Sequence, residues 1–349
     1  MTFKTLIAPI IFILLATQSC YSPEPVSPPW QTGGSQLLSG VDKESNISIS
    51  PDGKMIAYIS HSILFLSDTN GNNIRQLSPK GIRVADPRWS PNGLYIGLIL
   101  IDTIAWTHQK FATMDVSANS LTPLSITDDF MLSSSYGSTF CWNWSPDNQR
   151  IAVISYATDG GLRLKVFKTD GSGTLLNSYP SVSRDYYFYS DGLFSWSPDG
   201  SQIIFLSDSN GSRRITVATI GESTTSAIIK DSLATQVIWF PDGNNISYIE
   251  GTQCHLYDLR SKHDSTLTGL YVNDQYLISP NGQCLGFENA WYSGTDTPSS
   301  FMIDCYNRDN GSFAILVQAD SYLRFGWAPS SKRVFYNFDG SIYSAINPL

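Results

Sequence analysis

The sequence predicts an all-β chain folded as a seven-bladed β-propeller of four-stranded antiparallel blades. Three observations carry this. A Trp-Ser-Pro-Asp-Gly unit recurs seven times, each copy is followed by the same run of short strands, and a spare strand stands ahead of the first copy where the last copy lacks one.

The unit is clearest at Trp196-Ser-Pro-Asp-Gly200. Proline presets φ for a tight turn, aspartate caps it through its side chain, and glycine takes the positive-φ corner. Ile203, Ile204, Phe205 and Leu206 follow with no polar face, as a strand buried on both sides requires. The turn prolines are Pro51, Pro91, Pro146, Pro198, Pro241, Pro280 and Pro329, at intervals of 40, 55, 52, 43, 39 and 49 residues. A period near 40–50 built on strand, turn and strand indicates propeller blades. No useful run shows the three- and four-residue apolar spacing of a helix.

Within the first copy, Met55–Ser60 and Ile63–Ser67 read as strands, Asp68-Thr-Asn-Gly71 as a turn, and Ile74–Leu77 as a fourth strand. The fourth copy repeats this with Ile203–Ser207, Ile215–Ile220 and Ala227–Lys230. The innermost strand of each blade therefore ends at the proline turn. The last copy is followed by Arg333–Phe338 and Ser341–Ile346 alone, so its blade is expected to lack an outer strand. Ser35–Ser39 resembles the outer strand Arg75–Ser78 and is expected to complete that blade, closing the ring and removing its open edges. Residues 35–349 then form one domain of about 45 residues per blade, the size of a propeller blade.

The repeated Trp-Ser-Pro-Asp-Gly, apolar strand and Asp-x-x-Gly turn resemble the TolB-type, WD-like propeller repeat. The resemblance covers the chain from about residue 35 onward. It implies the propeller fold. It differs from TolB in having seven copies rather than six blades, and in leaving no stretch for TolB's N-terminal α/β domain.

Residues 1–19 read as a signal peptide: Lys4 at the start, an apolar run over Leu6–Ala16, then small and polar residues. The run is short for a membrane span. Ala16-Thr-Gln-Ser-Cys20 resembles a bacterial lipobox, which implies lipidation of Cys20 and anchoring by several acyl chains. Residues 20–34, rich in proline, read as a semi-rigid tether. The expected location is the bacterial cell envelope, anchored by lipid in the outer membrane.

Charged residues make up 15% of the chain, its formal charge is −8, and no Lys/Arg cluster stands out, so a basic nucleic-acid footprint is absent. Cys141, Cys254, Cys284 and Cys305 form no Cys-x-x-Cys pair. Cys284 and Cys305 fall on neighbouring strands of the sixth blade, and two readings stay open: a cross-strand disulfide or two buried thiols. The histidines His61, His108, His255 and His263 are too scattered to assemble a metal centre, and no Gly-x-Ser-x-Gly elbow is present. Neither catalysis, a cofactor nor a metal is expected. The acidic turns at Asp68, Asp170 and Asp208 read as hairpin turns rather than calcium sites.

Propeller topology places the proline turns and Asp-x-x-Gly turns on one face. Connections from second to third strand, and from blade to blade, lie on the other. The long insertions Asp102–Lys110, Ile126–Thr139, Ser181–Leu193 and Glu288–Ser300 belong to this second face. They supply the candidate ligand-binding residues Trp106, His108, Asp128, Asp129, Tyr136, Tyr186, Tyr187, Tyr189, Trp291 and Tyr292. Aromatic rings beside carboxylates suit a peptide or a sugar face. The expected function is a non-enzymatic scaffold that binds an envelope protein or peptide. The alternative is a propeller that binds or cleaves a polysaccharide through the same face.

Overall fold

The computed structural model describes residues 34–43, 45–101, 110–124, 141–156, 161–180, 191–209, 212–230, 233–267, 276–291, 300–321 and 323–349. These residues form seven four-stranded antiparallel sheets, each ordered in space as in sequence except the last. Blade 4 runs from the inner strand Phe194–Trp196 through Gln202–Ser209 and Ser212–Thr219 to the outer strand Thr225–Lys230. The expected strands Ser35–Ser39, Met55–Ser60, Arg333–Phe338 and Ser341–Ile346 occur with those bounds. Among the described residues the only helical element is a 3-10 turn at Asp191–Leu193.

The ring closes as its ends predict. Blade 7 consists of Leu323–Trp327, Arg333–Phe338 and Ser341–Ile346, and its outer strand is Ser35–Ser39. Ser35 pairs with Ser344 and Ser39 with Ser341. Leu38 buries itself in a cluster with Val41, Phe335 and Ile342.

Each inner strand is joined to the next by a connection of five residues, from 50–54 in blade 1 to 328–332 in blade 7. In blade 4 the Ser197 hydroxyl donates to Asp199 Oδ1 at 2.6 Å and accepts from the Gln202 amide at 2.9 Å. Asp199 Oδ1 also accepts from the Ser201 amide at 3.0 Å. The donating Ser197 hydroxyl holds the Asp199 carboxyl below the usual carboxylate range. Asn92 occupies the same slot in blade 2, taking the Ser90 hydroxyl at 2.7 Å, so the turn needs an acceptor and not a charge.

The turns also interlock. A Cβ placed on Gly200 would lie 3.5 Å from Pro146 of blade 3, and one on Gly93 would lie 3.6 Å from Pro51 of blade 1. Both glycines have φ near +72° (+71° and +72°), where a Cβ is strained. Between blades the core is aromatic and aliphatic. Phe111 of blade 2 meets Trp142 of blade 3 edge-on at 4.7 Å, and Trp196, Trp239, Phe205 and Tyr248 share the largest cluster. Polar ties add to it: Tyr179 of blade 3 donates to the Thr219 carbonyl of blade 4 at 3.1 Å.

Two expectations need correction, and one open question is answered. The Asp208 segment is not a third-to-fourth-strand turn like Asp68, because the strand Gln202–Ser209 runs through it and pairs Asp208 with Arg213. It therefore joins second to third strand on the opposite face. The insertion placed at Glu288–Ser300 starts later, since the strand Cys284–Trp291 extends to a Trp291–Ser300 pair. The open question at Cys284 and Cys305 resolves to free, buried thiols. Cys284 faces Asn307 and Cys305 faces Gly286, so the two are diagonal neighbours. Diagonal Cα spacings of about 7–8 Å exceed the reach of an unstrained disulfide. Asn347 bonds to both sulfurs, at 3.5 Å from Cys284 and 3.6 Å from Cys305.

Candidate functional site

The two faces differ in how the chain crosses them. On the proline-turn face, the first-to-second-strand connections have five residues and the third-to-fourth-strand connections four to six, as in 116–119 and 69–74. On the other face, 101–109 holds nine residues, 124–141 eighteen, 181–193 thirteen and 292–299 eight. The strand ends bounding these long segments all lie on that one face.

Most of the predicted site residues fall in these segments. Trp106, His108, Asp128, Asp129, Tyr136, Tyr186, Tyr187, Tyr189 and Tyr292 lie outside the described residues, as do Cys20 and the whole of residues 1–33. Trp291 ends a blade 6 strand opposite Ser300, and its side chain is outside the description.

Among the described residues stand two ion pairs that the sequence reading missed. In blade 2, Arg88 Nη2 lies 2.9 Å from Asp86 Oδ2, with the Asp86 side chain fully buried. Arg88 also donates to the Trp142 carbonyl of blade 3 at 2.5 Å and stacks over the Trp142 ring at 5.0 Å. Asn46 of blade 1 donates to Asp86 Oδ1 at 2.8 Å. The cluster thus ties the inner strands of blades 2 and 3 to the connection just ahead of the inner strand of blade 1. Asp86 stands before Pro87 in a bulge of the strand Val84–Trp89, at φ +51°. That conformation costs on the order of 1 kcal/mol for a residue with a Cβ, and the two side-chain partners hold it.

The second pair joins blades 6 and 7. Glu288, buried in the strand Cys284–Trp291, accepts from Arg324 Nη1 at 2.9 Å and from the Leu323 amide at 3.2 Å. Its sequence signal was weak: Arg324 stands three residues before Trp327 and Arg88 one residue before Trp89, so the two arginines share no common position in the repeat.

Among the described residues, His61, His255 and His263 stand apart from these ion pairs. His61 sits in the Met55–Ser60 to Ile63–Asp68 connection and its amide donates to Asp42 at 2.6 Å. His255 stacks on Tyr248 at 4.6 Å in blade 5. Among the described residues no three His, Cys, Asp or Glu side chains gather as metal ligands. No helix among them is long and apolar enough to cross a membrane.

A closed ring with one face of uniform tight turns and one of long connections defines a β-propeller that presents a single elaborated face. The chain belongs to the TolB β-propeller domain family, whose model matches residues 63–309. No curated protein sequence matches it. Among solved structures it is similar to TolB from Acinetobacter baumannii, at 15% identity and a TM-score of 0.52 over 81% of this chain. That match spans 65% of the TolB chain. Oligogalacturonate lyase from Vibrio parahaemolyticus is similar at 12% identity and a TM-score of 0.62, over 90% of this chain and 91% of its own. A chain of the mitotic checkpoint complex matches at 13% identity and a TM-score of 0.61, over 99% and 98%. At these identities the likeness is one of fold.

Proposed function

We propose that the protein is a non-enzymatic lipoprotein of the bacterial cell envelope, anchored through Cys20 in the outer membrane, whose propeller binds a protein or peptide partner or scaffolds an assembly. The observation that carries this is the sorting of connections: every segment longer than eight residues leaves and re-enters the ring on one face. Lengthened loops on one face of a rigid ring are where recognition concentrates. The three segments longer than eight residues carry Asp102, Asp128, Asp129, Asp185 and Asp191 against Arg184 alone among Arg and Lys. Their tyrosines and tryptophans supply contact area of low entropic cost. A partner with a basic contact surface fits this composition.

The test is co-purification from solubilised membranes with the full chain and with a Tyr187→Ala/Trp291→Ala variant of unchanged unfolding midpoint. A stoichiometric partner retained by the parent and lost by the variant supports the reading. Equal recovery with both rejects this face. The second reading, a propeller that binds or cleaves a polysaccharide, is favoured by the likeness to a lyase and by the aromatic content of the same segments. Binding on a glycan array, or release of reducing ends, would install it in place of the first.

A further inference from the structure

Ten large apolar side chains are exposed among the described residues, and six of them gather at the proline-turn end of the strands. Ile74 and Leu94 close turns on that face, and Tyr95, Leu175 and Phe313 open the strands that follow such turns. Ile346 ends the strand Ser341–Ile346, opposite Arg333. The six occupy five successive blades, 6, 7, 1, 2 and 3, and none of them lies on blade 4 or 5. The middle of this arc is continuous. Gly71 of blade 1 lies against the Leu37 carbonyl of the closing strand. Arg75 of blade 1 donates to the Val116 carbonyl of blade 2 at 3.3 Å, and the Val116 amide donates to the Leu94 carbonyl at 3.1 Å. Apolar residues scattered singly over a surface need no explanation, but a set joined along one rim marks a contact surface. The chain enters the ring on the same rim. Ser39 pairs with Ser341, at the face of the long connections, and Ser35 with Ser344, further toward the proline turns. Gly34 lies against the Ser344 backbone, so the segment that begins at Cys20 joins the ring within the apolar arc.

The geometry points to this rim, at blades 7, 1 and 2, as a surface that rests on a phospholipid bilayer, leaving the face of the long connections turned away from the lipid. The inference rests on the anchor at Cys20 proposed above. From Cys20 to Gly34 the chain spans at most about 50 Å, so an acylated Cys20 holds the ring near the bilayer by that rim. Exposed apolar side chains gain by entering the boundary between headgroups and acyl chains, and Tyr95 has the apolar ring and polar tip suited to it. Charge separates the two faces in the same sense. Lys54, Arg75, Lys332 and Arg333 are exposed on the rim, beside Asp52, Asp68 and Asp115, whose carboxylates accept the amides of their own turns. The long segments opposite carry five aspartates against Arg184. A bilayer with anionic headgroups therefore favours the first face over the second. This orientation leaves the long connections open to a protein partner.

The test uses the mature protein in vesicles of phosphatidylethanolamine and phosphatidylglycerol. Leu94→Cys and Leu233→Cys place one reactive thiol each at two exposed leucines on opposite faces, since Leu233 lies in the connection from blade 4 to blade 5. The ring's own cysteines are buried, so a fluorophore such as NBD goes to the new thiol. Nitroxide-labelled phospholipid should quench the probe at position 94 several-fold more than the probe at position 233. Adding Ile74→Ser and Ile346→Ser should lower the quenching at 94 several-fold, and an unchanged unfolding midpoint shows that these surface changes leave the ring intact. Equal quenching at the two positions, stronger quenching at 233, or quenching at 94 that ignores the serine changes would each overturn the orientation. The mass of the same mature protein reads the anchor separately. An acylated Cys20 with no preference for position 94 sinks this inference alone, whereas an unacylated Cys20 sinks the anchor and this inference with it.

Discussion

Ser35 pairs with Ser344 across the last sheet, 309 positions apart in the chain, so a single five-residue strand fastens the ring. The fastening is apolar as well as hydrogen-bonded, because Leu38 is buried against Phe335 and Ile342. Leu38→Ala is expected to cost about 3 kcal/mol, the usual effect of emptying a buried leucine site. Leu176→Ala, on the half-exposed outer strand of blade 3, should stay within about 0.5 kcal/mol. Equilibrium unfolding in urea compares the two. Equal losses would mean that the closing strand is no more than another edge.

Glu288 and Arg324 sit on different blades and are both largely buried, so removing either takes the ionic partner from the other. Arg324→Met should destabilise the protein by about 3–5 kcal/mol, because it strands a buried carboxylate. Adding Glu288→Leu should restore most of that loss or more, because it removes the stranded charge. A double-mutant cycle reads the coupling directly. Additive losses would show that the two charges act independently.

The repeat was legible because each blade restates it locally. Ser197, Pro198, Asp199 and Gly200 each do a job within five residues of one another, and the closing strand repeats an outer-strand pattern. What was not legible depends on distant partners. Glu288 and Asn289 end the apolar run of their strand and look like the start of a loop until Arg324 appears beside Glu288, 36 residues on. Asp68 and Asp208 share the Asp-x-x-Gly signal, yet one caps a third-to-fourth-strand turn and the other lies in a second-to-third-strand hairpin. The sequence signal is the same in both places, so only the strand count separates them. Asp304 gave no signal at all, since its burial follows from the packing of blade 5 on blade 6.

The four thiols of the ring offer a direct check on burial. Cys141, Cys254, Cys284 and Cys305 are all buried. Burial pushes the Cys254 thiol up to about 11, and burial beside Cys284 pushes the Cys305 thiol up as well. Thiolates are the reactive species, so native protein at pH 8 should resist iodoacetamide at all four positions. In denaturant without reductant all four should label. Labelling of Cys141 and Cys254 alone would reveal a Cys284–Cys305 disulfide and contradict the thiol assignment.

Asp304 sets a pH dependence whose direction is unusual for a carboxylate. Burial raises its folded-state pKa from 3.8 to about 6, with only the Asn289 hydrogen bond acting the other way. The folded state therefore holds this proton more tightly than the unfolded chain does. Its contribution to stability is greatest below the unfolded value and is lost as pH rises from about 4 through about 6. The difference of roughly two pKa units corresponds to an upper limit of about 3 kcal/mol at pH 8. Asp304→Asn removes the buried charge and keeps the shape, so it should be more stable than the parent at pH 8 by up to that amount. The advantage should shrink through pH 6 and vanish near pH 4, where the parent's carboxyl is protonated in the folded state. Urea midpoints of both proteins at pH 4, 6 and 8 measure this. A constant difference across that range would assign the effect of the substitution to packing rather than to the titration of Asp304.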